Sequence, residues 1–398
     1  MPACDVAIVG GGMVGATLAL ALSQLRRPDG QPLDIVLLEA NSPGQAIHPG
    51  FDARAIALSY GSCELLQGWG LWTSLAPTAC AIEQIHVSDS GHFGRVKLTA
   101  QEYRLPWLGQ VVELATTGSQ LYEALAQRGN VRLRCPAHLV DVSPSEREIA
   151  LKLDDGSTWQ AELALGADGA DSLLRQQLRL PCEQYDFGQT AIITTLQTDL
   201  PPAGRAWERF TAQGPLALLP LSESRYSVVW CQAPDEAQQS LLLDDAAFLS
   251  RLQQAFGYRA GRFVRLGQRH AYPLTGRQVT WPLGPHALVL GNAAHLLHPV
   301  AGQGFNLGMR DIAVLQEELA RALADGESIG SYRVLRRYWQ RRQPDQRQLA
   351  WMTGSLARLF ANEVGPLVLG RNLLLATMNR CDDFKLALTR RALGKEWV

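Results

Sequence analysis

The chain has 398 residues, of which 46% are hydrophobic and 19% charged, and its formal net charge is −1. This length is enough for two or three domains with a sizeable buried core. The near-zero charge gives no general electrostatic preference for nucleic acid, and the lack of any run of about 18 apolar residues argues against a membrane-spanning helix.

The first predicted element is a strand followed by a glycine-rich turn and a helix. Residues 6–9 are a short apolar run, and Gly10, Gly12 and Gly15 follow, ahead of an Ala- and Leu-rich segment at 16–25. Gly10 allows a tight turn, Gly12 lets a pyrophosphate approach the backbone, and Gly15 lets the helix pack against the strand. The spacing therefore predicts a phosphate-binding loop between strand and helix.

A second predicted strand ends in an acidic residue. Residues 34–38 form this strand and Glu39 follows it. A carboxylate at this place accepts hydrogen bonds from a ribose 2′-hydroxyl and repels a 2′-phosphate. Because strand, loop, helix, strand and acid occur in order, this segment predicts dinucleotide binding rather than a glycine-rich turn of an unrelated fold. It does not distinguish FAD from NAD.

Two later segments also predict a strand that ends in a turn. Residues 163–172 run from a strand through a turn at Asp168 to a helix that Ser172 could cap. The alternative for this segment is a plain β-to-α turn without a ligand. Residues 288–295 predict another strand, which ends at small residues around Asn292.

A second glycine-rich loop follows directly. Pro299 ends the preceding segment, and Gly302 and Gly304 let the backbone approach a flat ligand closely. The apolar residues from Phe305 onward predict a helix whose N-terminal amides face this loop. Such a helix start stabilises negative charge, which a flavin carries at its pyrimidine edge when it is reduced.

The rest of the chain predicts a sheet and a helical C-terminal part. Strand-like patterns at 85–88, 191–196 and 226–231 predict a sheet. The C-terminal part carries a basic cluster of Arg333, Arg336, Arg337, Arg341, Arg342 and Arg347. This cluster is typical of a solvated helix face, and the alternative is a surface for anionic lipid headgroups or an acidic partner.

With these segments placed, the chain resembles the aromatic-hydroxylase group of FAD-dependent monooxygenases, which carry a GxGxxG loop, a DG motif and a GD motif in this order. The resemblance covers essentially the whole chain. Within the group, residues 52–58, 295–299 and 302–311 are similar to the ubiquinone-biosynthesis hydroxylases. The segments that favour the branch acting on 2-polyprenyl-6-methoxyphenol are 207–211, 214–217 and 229–231.

The resemblance implies an α/β fold with three parts. They are a Rossmann-like FAD-binding domain, an inserted β-sheet substrate domain like that of para-hydroxybenzoate hydroxylase, and a helical C-terminal region. The expected FAD-binding domain is discontinuous and comprises residues 1–75, 103–185 and 270–345. The substrate-covering sheet comprises 76–102 and 186–269, and the C-terminal helical region comprises 346–398.

The resemblance also implies cofactor-binding roles. The residues expected to hold the ADP half of FAD are Gly10, Gly12, Gly15 and Glu39. Asp168 is expected near the pyrophosphate, Arg54 beside the flavin and ribityl chain, and Gln120 near the cofactor. The residues expected to border the isoalloxazine ring are Pro299, Gly302, Gly304, Phe305 and Asn306.

One residue departs from the family pattern. The GD motif usually offers an aspartate to a ribityl hydroxyl, and this chain has Asn292 at that position. An amide oxygen still accepts the hydrogen bond but lacks the charge. We therefore expect FAD binding to be retained and at most weakened, and the asparagine also fits the methoxyphenol branch.

The implied activity is hydroxylation of a polyprenylated phenol in ubiquinone biosynthesis, on 2-polyprenyl-6-methoxyphenol para to its hydroxyl. The implied co-substrates are O2 and NAD(P)H or another electron donor. Three alternatives remain open: a sibling ubiquinone hydroxylase acting at another ring position, a flavin-dependent prenyl reductase, and an FAD-stabilised scaffold without turnover. A flavin halogenase is disfavoured, because no Trp-x-Trp-x-Ile-Pro segment occurs.

The catalytic base is not assigned by the sequence. A phenol of pKa ~10 is about one part in a thousand ionised near neutral pH, so supplying the phenolate costs roughly 4 kcal/mol. The candidates for the base are His295, His298 and Tyr226, and ordinary loop hydrogen bonding is the alternative role for the two histidines.

Cysteine usage and the substrate tail bear on location. The seven cysteines are odd in number and show neither zinc nor redox-pair spacing, which indicates a reducing cytoplasm and no metal site. The N-terminal segment shows no signal-peptide pattern. Exposing a tail of roughly 40 isoprenoid carbons to water costs up to about 30 kcal/mol. We therefore expect a cytoplasmic protein that is peripheral at the inner membrane surface or works in a complex with other ubiquinone-biosynthesis proteins.

Overall fold

The computed structural model describes residues 2–41, 54–299 and 302–360, together with residues 368, 370, 372, 373, 377, 389, 393 and 394. Asp52 and Ala53 of the segment 52–58 lie outside the described residues, as does most of the chain after residue 360. Within the described part, the strands form sheets of eight, nine and three strands.

The strands follow one another along the chain with helices between them. The strands are β1 (Ala3–Val9), β2 (Ile35–Leu38), β3 (Ala55–Ser59), β4 (Cys80–Ile82), β5 (Gln84–Asp89), β6 (Arg95–Thr99), β7 (Gly109–Glu113), β8 (Val131–Arg134), β9 (Leu139–Pro144), β10 (Ile149–Leu153), β11 (Thr158–Gly166), β12 (Cys182–Thr198), β13 (Arg205–Thr211), β14 (Gly214–Pro220), β15 (Arg225–Gln232), β16 (Phe263–Leu266), β17 (His270–Val279), β18 (Leu283–Gly284), β19 (Ala287–Val289) and β20 (His295–Leu296). The helices are α1 (Met13–Leu22), α2 (Tyr60–Gly68), α3 (Trp72–Leu75), α4 (Leu114–Ala126), α5 (Leu173–Gln177), α6 (Pro234–Leu242), α7 (Asp245–Phe256), α8 (Gln303–Ala324) and α9 (Tyr332–Phe360). Short 3-10 turns lie at Ala76–Thr78, Ala100–Tyr103 and Gly291–Ala293.

The eight-stranded sheet is built around β1. Its main strand order is β18-β19-β11-β1-β2-β8, and β1 pairs in parallel with both β2 and β11. All four residues of β2 are buried, as expected for a parallel sheet covered on both faces. The helix α1 is buried along nearly its whole length. The predicted order of strand, glycine-rich turn, helix and strand is therefore confirmed.

The nine-stranded sheet has the order β20-β17-β12-β15-β14-β13-β5-β6, with β16 paired to β12. The predicted strand segments at 85–88, 191–196 and 226–231 lie in β5, β12 and β15. The predicted boundary after residue 185 falls inside β12, and β17, which the predicted division gives to the FAD-binding part, pairs with β12. The division into domains stays a prediction.

Apolar clusters hold the nine-stranded sheet and the small three-stranded sheet to their neighbours. The nine-stranded sheet shares a cluster with α6 and α7 that includes Trp207, Trp230 and Phe248. The small antiparallel sheet β3-β7-β4 shares another, in which Val111 packs with Ala206 of β13. The small sheet thus joins the nine-stranded sheet to the start of α8, where the second glycine-rich loop lies.

The basic cluster on α9 is largely paired with α8. Arg337 and Arg341 both bond to Glu318, at 3.0 and 2.9 Å. Arg342 is 1% exposed in its side chain and bonds to Asp311 at 2.8 Å. The predicted solvated face is therefore wrong for Arg342, and the ion pairs of Arg337 and Arg341 remove them from a free cationic surface.

No helix among the described residues combines the length and the apolar composition needed to cross a membrane.

Candidate functional site

The first glycine-rich turn is held by close backbone approach. Gly10 has φ of +95°, and its N–H donates to the carbonyl of Leu38 at 2.8 Å. A Cβ on Gly10 would lie 2.6 Å from the carbonyl oxygen of Ala167, and a Cβ on Gly15 would lie 1.8 Å from that of Gly10. Both positions therefore require glycine for steric reasons.

The start of α1 presents free backbone amides. Gly12 is the N-cap, no side chain caps this end, and no acidic residue occurs in the first turn. The first N–H groups of a helix have no partner within the helix, and the helix dipole makes this end positive. The N-terminal end of α1 can therefore bind a phosphate group.

Glu39 organises the same turn. Its Oε2 accepts from the N–H of Gly11 at 2.5 Å, and its Oε1 accepts from the N–H of Asn41 at 2.7 Å. The hydroxyl of Tyr122 donates to the carbonyl of Gly11 at 3.0 Å. Burial raises the pKa of Tyr122, and the charge of Glu39 raises it further, so the phenol stays protonated and can donate. The ribose contact of Glu39 remains a proposal.

The Asp168 turn leaves one buried acceptor unused. Its Oδ2 accepts from the N–H groups of Leu173 and Leu174, and Ser172 caps α5 by accepting from Arg175. The other oxygen, Oδ1, is buried and has no hydrogen-bond partner among the described residues. Burial raises the pKa of this carboxyl. An unsatisfied buried acceptor indicates a ligand donor that completes it.

Gln120 shows the same pattern on α4. Its amide nitrogen donates to the carbonyl of Ser74 at 2.9 Å, which fixes the side chain. Its amide oxygen is buried and unpaired within the described chain. Hydroxyl groups of a sugar or ribityl chain are donors of the kind that would satisfy both this oxygen and that of Asp168.

The turn at Asn292 meets both glycine-rich loops. A Cβ on Gly291 would lie 3.0 Å from the Val14 side chain, and a Cβ on Gly308 would lie 3.1 Å from it. Val14 of α1, Gly291 and Gly308 of α8 therefore pack against one another. The side chain of Asn292 is exposed beside this contact, so it is accessible to a ligand.

The second glycine-rich loop ends at the start of α8. Gly302 is the N-cap with φ of +59°, and its N–H donates to the carbonyl of Pro299 at 3.0 Å. No side chain caps this 22-residue helix, and its first turn contains no acidic residue. A Cβ on Gly304 would meet no atom within 4 Å. Open space therefore lies next to amides that favour negative charge.

Asn306 holds this helix start in place. Its Oδ1 accepts from the N–H of Ser59 at 2.8 Å and from the hydroxyl of Ser62 at 2.7 Å. Its Nδ2 donates to the carbonyls of Ala57 and Gly302, both at 2.9 Å. The side chain is 1% exposed and fully used by the protein. Only the backbone of Asn306 is therefore available to contact a flavin. The neighbouring Phe305 is partly exposed.

Arg54 joins the small sheet to the nine-stranded sheet. Its carbonyl accepts from the N–H of Leu114 at 2.9 Å, and its guanidinium lies 5.2 Å from the ring centroid of Tyr272 on β17. This cation–π contact fixes a positive charge between the two sheets. The expected place of Arg54 beside the flavin stays a proposal.

His295 belongs to a buried ionic network. Its Nε2 bonds to Asp311 at 2.5 Å, and Asp311 also accepts from Arg342 and Gln346. Burial alone would raise the pKa of Asp311, but His295 and Arg342 lower it well below its ordinary value. The carboxylate is therefore ionised and accepts the hydrogen bond from Nε2 of His295. The buried Nδ1 of His295 has no partner in the described part of the chain.

His298 and Tyr226 are also buried. The Nε2 of His298 bonds to the Oε1 of Gln189 at 3.0 Å, and burial lowers the pKa of His298 to about 4. Tyr226 is 0% exposed in the cluster that packs on α6 and α7, and its hydroxyl accepts from Trp207 at 3.4 Å. Tyr226 is therefore a core residue and is not accessible to a substrate as a base.

FAD fits this set of groups. Two uncapped helix starts suit its pyrophosphate and the pyrimidine edge of its flavin, and the unpaired oxygens of Asp168 and Gln120 suit its hydroxyl groups. The described residues contain no cluster of side chains that could hold a metal ion. The sequence profile of the family described as "FAD binding domain" matches residues 3–352. The chain belongs to this family.

Three relatives of the flavoprotein are named as hydroxylases or monooxygenases. It is 33% identical over 390 residues to the ubiquinone hydroxylase UbiL of Rhodospirillum rubrum, covering 98% of this chain and 89% of that protein. It is 32% identical to the 3-demethoxyubiquinol 3-hydroxylase of Escherichia coli, covering 98% of each. It is 30% identical to the mitochondrial ubiquinone biosynthesis monooxygenase COQ6 of Homo sapiens, covering 96% and 90%.

Solved structures show the same fold. The p-nitrophenol 4-monooxygenase PnpA from Pseudomonas putida DLL-E4 matches with a TM-score of 0.80 at 18% identity, over 100% of both chains. PqsL from Pseudomonas aeruginosa matches with a TM-score of 0.77 at 20% identity, over 94% of this chain and 100% of its own. The flavoprotein is thus an FAD-dependent monooxygenase, which uses O2 and a reduced cofactor as electron donor.

Several residues of the site were not predicted from the sequence. Tyr122 contacts Gly11 of the first glycine-rich turn, and Gln189 contacts His298. Val14 packs against Gly291 and Gly308, far away in sequence. The sequence pattern marks Asp311 only as the end of a motif and Arg342 only as part of a basic cluster, whereas in the structure Arg342 bonds to Asp311 and Asp311 bonds to His295. A useful signal was the acidic Asp311 on an otherwise apolar helix face, because a buried charge requires a partner.

Proposed function

We propose that the enzyme hydroxylates a polyprenylated phenol in ubiquinone biosynthesis. The substrate we favour is 2-polyprenyl-6-methoxyphenol, hydroxylated para to its hydroxyl. The observation that supports a flavin hydroxylase most strongly is the contact of Val14 with Gly291 and Gly308, which brings both glycine-rich loops to one place. The names of the relatives support the pathway, and segments 207–211, 214–217 and 229–231 support the methoxyphenol branch.

Bound FAD would supply the activation of O2, with two electrons from the donor. One oxygen atom enters the ring in place of a hydrogen, and the other leaves as water. The chain would hold the pyrophosphate at Gly12 and the start of α1, and the sugar and ribityl hydroxyls at Asp168, Gln120 and Asn292. The amides at the start of α8 would stabilise negative charge on the flavin.

The proton of the phenol is not delivered to His298. Moving it from a phenol of pKa ~10 to an imidazole of pKa about 4 costs roughly 8 kcal/mol, whereas releasing it to water near neutral pH costs roughly 4 kcal/mol. Bulk water is therefore the better acceptor by roughly 4 kcal/mol. We assign His298 to holding the loop before α8 against Gln189, which also helps exclude water from the site.

A sibling activity is the second candidate, because one relative is named a 3-demethoxyubiquinol 3-hydroxylase. The test offers the purified FAD-loaded enzyme two diprenyl substrates, the 6-methoxyphenol and the demethoxyubiquinol, under ¹⁸O2 with NAD(P)H. We expect ¹⁸O in the product of the methoxyphenol only. Label in the demethoxyubiquinol product alone would replace our assignment by the sibling activity, and anaerobic reduction of a prenyl double bond would reject hydroxylation.

The same assignment predicts a cellular result. Deleting the chromosomal copy should cause 2-polyprenyl-6-methoxyphenol to accumulate, which mass spectrometry detects. Accumulation of a demethoxy-quinone would contradict the proposed ring position. We also propose that the enzyme works at the inner membrane surface, because the substrate tail cannot be left in water.

A further inference from the structure

One corner of the nine-stranded sheet combines exposed apolar side chains with positive charge. We name it the corner surface, and it consists of Phe93, Arg95, Arg209, Tyr258, Arg259 and Leu373. It lies at the loop between β5 and the edge strand β6, beside the C-terminal end of α7. None of its residues belongs to the proposed cofactor site.

The charge of this corner is strongly one-sided. A cavity of about 410 Å³ lies beside the loop, and its described lining contains Arg95, Arg209, Arg259 and His92, with one carboxylate, that of Asp89. Asp89 is 4% exposed and accepts from the amide of Asn372 at 2.8 Å. The carboxylate is therefore buried and already engaged, and the cavity opens on arginine side chains.

Neighbouring cations reinforce the positive charge. Arg209 is fixed by bonds to the carbonyl of Ala255 and the hydroxyl of Ser90, and burial together with Arg259 lowers its pKa. Burial also lowers the pKa of His86 on β5, and Lys97, Arg205 and Arg259 lower it further. Such mutual repulsion is relieved by an anion in the cavity.

The apolar side chains of this corner point into solvent. Phe93, Tyr258 and Leu373 are 62%, 71% and 61% exposed. Asn372, next to Leu373 in sequence, accepts from the N–H of Gly94 at 2.8 Å, which places the backbone at residue 372 beside the loop that carries Phe93. Large aromatic and aliphatic side chains flanked by arginine are the composition of surfaces that enter the headgroup region of a bilayer.

We propose that the corner surface docks the enzyme on a membrane containing anionic phospholipid. The arginines bind headgroup phosphates, and Phe93, Tyr258 and Leu373 enter the boundary between headgroups and acyl chains. The choice of a lipid occupant rests on the proposed function, because a polyprenylated substrate resides in the bilayer. The ion-paired arginines of α9 are not part of this surface.

The test is flotation of the FAD-loaded enzyme with vesicles of phosphatidylcholine containing 30% phosphatidylglycerol, at about 50 mM and 300 mM salt. We expect binding that weakens with salt and is poor with pure phosphatidylcholine. Arg95→Gln with Arg259→Gln should weaken binding about 20- to 30-fold. Phe93→Ser with Tyr258→Ser should weaken it about tenfold while keeping the salt dependence.

The matched control is Arg321→Gln with Arg336→Gln, which removes the same charge from exposed positions on α8 and α9 and should change binding less than about twofold. Wild-type enzyme that fails to float, a control that loses as much as the corner variants, or displacement from the vesicles by 10 mM inorganic phosphate would each overturn the proposal. Binding that requires an added protein would assign the corner to a protein partner instead.

Activity on a detergent-solubilised diprenyl substrate separates the two proposals. The corner variants should hydroxylate this substrate at the wild-type rate. Vesicle binding without hydroxylation would reject the proposed function and leave docking intact, and hydroxylation without vesicle binding would reject docking alone.

Discussion

Replacing Asp311 by asparagine should strongly destabilise the enzyme. Asp311 is 0% exposed and accepts from His295, Arg342 and Gln346 at 2.5 to 2.9 Å. Asparagine keeps one acceptor oxygen and turns an NH2 group toward donors on the other side. Among the described residues, the remaining carboxylate partner of Arg342 would then be Asp345, which also accepts from Arg310. Removing one partner of a buried ion pair costs about 3–5 kcal/mol, because the other charge stays buried.

The assay is the free energy of unfolding from denaturant titration at pH 7 with excess FAD. The matched control is Glu317→Gln, which breaks an ion pair to Arg341 whose side chains are 52% and 40% exposed, so it should cost less than about 1 kcal/mol. A loss for Asp311→Asn below about 1 kcal/mol, or equal to that of the control, would refute the network. Because the folded pKa of Asp311 is lowered, the free energy of unfolding of the wild type should also fall as pH drops below about 4. The Asp311→Asn variant should lack the part of this fall that Asp311 causes.

Three further predictions concern the cofactor loops and the histidine. Gly15→Ala places a Cβ 1.8 Å from a carbonyl oxygen, so we expect loss of most bound FAD by absorbance after gel filtration, whereas the unobstructed Gly129→Ala retains it. Asn306→Ala removes four buried hydrogen bonds and should lower the free energy of unfolding by about 2–4 kcal/mol. The exposed Asn292→Ala should cost about 0.5 kcal/mol or less. For His298, burial lowers the pKa from 6.5 to about 4, so the unfolded chain binds the extra proton between these values. Stability should fall by about 2 kcal/mol from pH 7 to pH 5, and His298→Gln should remove this fall.

Each of these outcomes has a clear opposite. Full FAD retention by Gly15→Ala would show that the first loop shifts at little cost. Equal losses of unfolding free energy in Asn306→Ala and Asn292→Ala would show that the buried hydrogen bonds of Asn306 do not stabilise the start of α8. A fall in stability between pH 7 and pH 5 that is unchanged in His298→Gln would place the titrating group elsewhere.

The cofactor loops could be predicted from the sequence because each is a contiguous run with local requirements. Gly10 needs a positive φ, and Gly15 needs space for a neighbouring carbonyl. The helix from Phe305 shows its apolar periodicity directly. These features depend on residues within one turn of one another, so spacing alone reveals them.

The contacts between the loops could not be predicted in the same way. Val14 meets Gly308, and Tyr122 meets Gly11, across large distances in sequence. No periodicity encodes such pairs, because they depend on how whole elements cross. The same reason explains the error at Arg342: its acidic partner was visible on the preceding helix, but only the packing of α8 on α9 buries the pair.

The order of strands in the central sheet has a consequence for synthesis. β1 is flanked by β2 on one side and by β11 on the other, and β11 pairs in turn with β19 near residue 288. A nascent chain leaving the ribosome cannot complete this arrangement until Val289 has emerged, although folding during translation starts from the N-terminal end. FAD should accordingly bind late in synthesis, and truncated translation products that stop before Asn306 should be colourless.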